Sequence, residues 1–222
     1  MTGRTPTRRV VATAAAGVAV FLVGWAVGHR PGANHTVTPL PAAVAPVAAG
    51  VAGEAGYTVR SRAGVVAAAR RATQLLSAPV VLDTPARSAV FAALVVPEAA
   101  RRFEARYRRD LPTLRRSLGV AARGPVPGGV VMRSVSLGHH LASYSRDRAR
   151  VGLWTVLVLG NGVRVPPRAV WRAVEVTLAW TPAGWRVTDL TDTQGPTPAL
   201  LGSPSPAGVF ADSQAGYQPH EP

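Results

Sequence analysis

The chain has no cysteine and no lysine, and aromatic residues make up only 6% of its 222 positions. Without cysteine there is no disulfide framework, no thiolate zinc site and no thiol nucleophile. All 25 basic residues are arginine, against 11 acidic ones, for a formal net charge of +14. Alanine, valine, glycine and proline are also abundant. All four share GC-rich codons with arginine, so part of the positive charge reflects coding bias, and charge alone is weak ground for inferring a polyanionic partner. A chain of this length holds one ordinary core with appendages.

Val10 to Val27 reads VVATAAAGVAVFLVGWAV, with no charged residue. As a helix rising about 1.5 Å per residue it spans roughly 27 Å, close to the hydrocarbon thickness of a bilayer. Arg4, Arg8 and Arg9 precede the run and only Arg30 follows closely. That asymmetry puts residues 1–9 in the cytoplasm, a transmembrane helix over 10–28, and the rest outside the cell membrane. A cleaved secretory signal is the competing reading, but the apolar run is longer than such signals need and Gly28-His29 is a poor cleavage junction.

Residues 29–57 carry Pro31, Pro39, Pro41 and Pro46 among small residues and read as a semi-extended linker. Residues 193–222, with six further prolines, read as a disordered tail. Between them, 58–192 is long enough to bury a core.

Its first half is helical by pattern. Arg62 to Ser77 places Val65, Val66, Ala69, Ala72, Thr73 and Leu76 three and four apart, and Pro79 stops it. Asp83-Thr84-Pro85 and Pro97-Glu98 are helix starts. The helix opened by Pro97 lines up Phe103, Tyr107, Leu111, Leu114 and Leu118, with Gly119 placed as a C-terminal cap and Pro112 as a bend. Opposite that stripe Arg101, Arg102, Arg108, Arg109, Arg115 and Arg116 form a positive face, with Glu104 paired to Arg108 across one turn and Asp110 nearby. This face is solvated, or docks an acidic partner, lipid headgroups or nucleic acid.

The second half switches to strands: Val130 to Tyr144, Val151 to Leu159, Ala169 to Trp180 and Trp185 to Leu190. Val170, Arg172, Val174, Val176, Leu178 and Trp180 alternate with Trp171, Ala173, Glu175, Thr177 and Ala179, one face apolar and the other mixed. Arg146-Asp147-Arg148 and Thr181-Pro182-Ala183-Gly184 serve as tight hairpins, whereas Gly160-Asn161-Gly162 with Pro166-Pro167 reads as a longer loop. The fold class is α+β, helices on a curved antiparallel sheet of about four strands.

Helices followed by a meander ending in VEVTLAWTPAGWRVTDL, Val174 to Leu190, resemble the nuclear-transport-factor-2-like, or cystatin-like, cone. With an N-terminal span and a proline-rich linker, the whole resembles actinobacterial single-pass membrane proteins with an extracytoplasmic domain. It is also similar in architecture to scaffold subunits of type IV secretion and conjugation machines. The resemblance implies assembly with other membrane proteins or with itself, no catalysis, and no particular interface residue.

Cone folds also host proton-transfer enzymes, so Asp189, Asp192, Glu175, His139 and His140 are the candidate cavity groups. Asp189 and Asp192 close the last strand, where a polar turn explains them, and Glu175 shares a face with Trp171. His139 and His140 point to opposite faces of a regular strand and cannot chelate one metal together. No metal, cofactor or small-molecule substrate is expected, and no nucleotide loop or Gly-x-Ser-x-Gly elbow is present. Residues 58–192 hold 21 arginines and eight acids, a net charge of +13. No aromatic residue interleaves the arginine face, so direct nucleic-acid binding is not expected.

Overall fold

The structure is a computed structural model that describes residues 55–162, 164–197 and 217–219. The expected span, and most of the linker and tail, lie outside the described residues. Among the described residues no helix is long and apolar enough to cross a membrane.

Three helices precede a meander: α1 (Arg62–Leu76), α2 (Thr84–Leu94), α3 (Pro97–Ser117), then β1 (Val130–Tyr144), β2 (Arg148–Asn161), β3 (Val165–Thr181) and β4 (Gly184–Gln194). Side-chain caps fix two of the starts. Ser61 Oγ accepts from the Gly64 N–H at 2.9 Å, and Asp83 Oδ2 from Ala86 at 3.1 Å. Helix α3 runs through the exposed Pro112 and ends in a Schellman motif: Gly119 at φ +63°, with Gly119 N–H donating to Arg116 O and Val120 N–H to Arg115 O.

The sheet order is β4-β3-β2-β1-β5, all antiparallel, where β5 is Gln218–Pro219. The C-terminal stretch expected to be an unstructured tail therefore contributes an edge strand. The expected loop around Pro166-Pro167 is instead a tight turn, with Asn161 paired to Val165 and Arg164 N–H donating to Asn161 O at 2.8 Å. The prolines are tolerated because the β2–β3 ladder is irregular there and because β4 begins to pair with β3 only at Arg172.

The helices cover one face of the sheet. Val65, Ala69, Ala72, Phe91 and Phe103 meet Val151, Leu153, Val174, Val176 and Leu178 in the larger core cluster. Val81, Leu82, Leu118 and Val120 meet Met132, Leu157 and Leu159 in the smaller one. The stripe anticipated on α3 points into these clusters along its whole length, with Tyr107 touching both. Val96 N–H donates to Val187 O at 3.0 Å and ties the α2–α3 junction to β4.

Candidate functional site

Where the two clusters meet, beneath α3, a cavity of about 80 Å³ remains, lined by Leu76, Tyr107, Leu111, Leu114, Met132 and Leu157 among others. Its polar lining comes from Arg172, Asp192, Ser77, Arg106, Asp110 and Thr113. Arg172 and Asp192 form a two-pronged ion pair across β3 and β4, one prong Nε to Oδ1 at 2.8 Å and the other between Nη2 and Oδ2. The second terminal nitrogen of Arg172 donates to Ser77 Oγ at 3.2 Å. Arg106 donates to Leu190 O at 2.8 Å. Tyr107 donates its hydroxyl proton to Leu76 O at 2.7 Å, and burial pushes its pKa up to about 12.

Within this cavity lining, Arg172, Asp192 and Ser77 bond to one another. Both Asp192 oxygens accept from the Arg172 guanidinium, a charge-assisted, two-pronged arrangement. At about 80 Å³ the space falls well short of the roughly 300 Å³ at which ligand pockets start.

Of the five cavity candidates read from the sequence, only Asp192 reaches the cavity. It is 7% exposed, which corrects its assignment to a polar turn. Asp189 lies outside and pairs with Arg102 and Arg106 at 3.4 and 3.9 Å. Glu175 sits on the face of the sheet away from the helices, 3.6 Å from Arg150 Nε. His139 faces the helix side; burial, followed by the charge of Arg70, holds its imidazole below the ordinary value against the raising effect of a hydrogen bond to the Gln218 backbone. His140 faces the other way, across Gly152, with its ring against Tyr217. Among the described residues no cluster of three or more His, Cys, Asp or Glu is placed to hold a metal ion.

The expected arginine face is narrower than its sequence suggests. Arg115 is 2% exposed and turns inward, donating to the carbonyls of Ala121, Leu82 and Gly124 at 2.6, 2.9 and 2.7 Å. Glu104 pairs with the buried Arg87 at 2.8 Å rather than with Arg108. Arg109 pairs with Asp110, and Arg102 donates to Thr188 O at 2.6 Å. Arg101, Arg108 and Arg116 stay exposed with no ion-pair partner among the described residues.

The sequence did not single out the Arg172–Asp192 pair. The signal was present: an arginine between Val170 and Val174 on the apolar face of a strand needs a buried acid. The outer-face aromatic pair, Trp154 stacked on Trp171 at 5.4 Å, lies on adjacent strands and becomes visible only once the β2–β3 register is known.

No known family's sequence profile matches the chain, and no curated protein matches it. Among solved structures it is similar in fold to an IcmL-like type IV secretion system protein from Legionella pneumophila subsp. pneumophila str. Philadelphia 1. The TM-score is 0.50 at 13% identity, over 63% of this chain and 97% of that one. A looser likeness, TM-score 0.36 at 14% identity, is to the intermembrane space region of the chloroplast protein ARC6, over 59% of this chain and 92% of that one. At these identities the first likeness is one of fold.

Proposed function

We propose that this chain is a non-enzymatic, membrane-anchored assembly subunit of a conjugation or type IV secretion-like apparatus. In this reading residues 10–28 form a single span, 1–9 are cytoplasmic, and 29–57 space a nuclear-transport-factor-2-like domain away from the outer surface of an actinobacterial cell membrane. The observation that carries it is the fold likeness, which takes in nearly all of a type IV secretion protein's chain. The uncharged run from Val10 to Val27 and the bonding of Arg172, Asp192 and Ser77 to one another in the cavity lining support it. The exposed guanidinium groups of Arg101, Arg108 and Arg116, flanked by Arg102 and Arg109, are the face offered to neighbouring membrane proteins or to other copies. No cofactor enters this account.

Because the chain lacks lysine, amine-reactive crosslinkers reach only the N-terminus. The test is therefore a photo-crosslinking residue placed at Arg108 or Arg116 of the full-length protein and irradiated in native membranes. Adducts to membrane proteins or to a second copy are expected. Irradiated chains that stay single, or that sediment away from membranes, contradict the reading.

A further inference from the structure

The chain after β4 is held at two points on the outer side of the sheet. At the first, Gly195 N–H donates to Trp171 O, and Trp154 Nε1–H donates to Pro196 O, both at 3.0 Å. At the second, across the sheet, Gln218 pairs with His139 and Pro219 with Gly138.

The second point is a shaped slot. A Cβ on Gly138 would lie 3.1 Å from Gln218 O and 3.3 Å from Tyr217 Cβ, so the close approach depends on glycine. A Cβ on Gly152 would overlap the His140 ring, which lies across β2 at that position. The ring so placed meets Tyr217 edge-on, with centroids 4.9 Å apart at 83°. Glycine, glycine and imidazole thus accept an extended segment carrying an aromatic residue. Pro219, two positions after Tyr217, pairs with Gly138, and strand addition of this kind is a recurring mode of peptide recognition.

The connection is far longer than closure within one molecule requires. Crossing from β4 to β1 is three strand spacings, roughly 15 Å at about 4.8 Å each. Residues 198–216 are 19 in number. They reach up to roughly 65 Å at about 3.4 Å per residue. The chain after Thr193 carries Asp212 and Glu221 and no arginine, a charge of −2 against +13 on 58–192. A tail of one copy is therefore attracted to the domain of another.

We propose that this slot is a joint between copies of the chain, in which Tyr217-Gln218-Pro219 of one copy adds to β1 of its neighbour. The exchange keeps every contact described above and changes only which chain supplies the strand. It rests on the assembly reading and names the joint. Neighbours anchored side by side compete with the tethered tail, whose advantage a long connection dilutes.

Because the chain is free of cysteine, His139→Cys and Gln218→Cys together give a clean probe. Directly opposed strand residues have Cα atoms about 4.5–5.5 Å apart, within disulfide range. Mild oxidation of this full-length variant in native membranes should give a reducible ladder of covalent multimers, while each single variant stops at dimers or below. Disulfides confined to single chains, or thiols left unreacted, overturn the proposal. Since His139→Cys alters the slot, a photo-crosslinker replacing Tyr217 is used in parallel on co-expressed copies carrying two different tags. Adducts joining the two tags to β1 or β2 peptides are expected, and adducts only within one tag overturn it. Native mass measurement of the unmodified protein separates the two failures: multimers without mixed adducts remove strand exchange alone, and single chains remove the assembly reading with it.

Discussion

Asp192 and Arg172 lie diagonally across β4 and β3 with both carboxylate oxygens bonded to one guanidinium, and both line the cavity beneath α3. Removing either partner leaves the other charge buried. Asp192→Leu or Arg172→Met alone is expected to lower unfolding free energy by about 3–5 kcal/mol. The double variant should recover most of that loss. Urea unfolding of the detergent-solubilised full chain checks it, and single variants as stable as the parent would show that the pair is not buried in solution.

Arg115 is a cation satisfied by three carbonyls and by no acid: those of Leu82, Ala121 and Gly124. It clamps the turn before α2 and the loop after α3 to the end of its own helix. Arg115→Ala should cost about 3 kcal/mol, since charge-assisted bonds are lost and buried carbonyls are orphaned. Arg116→Ala, one residue along and exposed, should stay within about 0.5 kcal/mol of the parent. Equal effects in thermal unfolding would mean the helix end is not built this way.

Tyr107 loses its proton only near pH 12 in the folded protein, against 10.0 when unperturbed. The folded state therefore binds this proton more tightly, and stability linked to it is complete below pH 10 and declines as pH rises towards 12. Ultraviolet titration should show one tyrosine ionising late, and Tyr107→Phe should abolish that step. The same variant frees Leu76 O and should cost about 1 kcal/mol. A late step that survives Tyr107→Phe would contradict the assignment.

Gly152 and His140 share one space on the outer face. Gly152→Ala should destabilise the parent by about 1–3 kcal/mol through overpacking, and should be nearly neutral beside His140→Ala. A double-mutant cycle measured by denaturant unfolding gives the coupling. Additive losses would show that the ring does not lie over the glycine.

Much of the fold was legible because its determinants are local. The helix start at Asp83, the Gly119 cap and the alternation from Val170 to Trp180 follow from short-range rules. The inward turn of Arg115 was not, because its acceptors Leu82 and Gly124 belong to other segments and helical phase alone placed it outside. The same holds for Glu104, whose helical neighbour Arg108 lost to Arg87 from α2. Asp192 looked like a strand end because the strand's length, to Gln194, depends on pairing with β3. The fifth strand has two residues and includes a proline, too short for any periodicity.

In the proposed function this chain works as part of a larger membrane assembly. Native mass spectrometry of the full-length, unmodified protein extracted gently from its own membranes tests that most directly. Particles holding several copies of the 23.1 kDa chain, alone or with other membrane proteins, are predicted. A single chain per particle at every extraction condition, in a soluble fraction or in detergent, would contradict it.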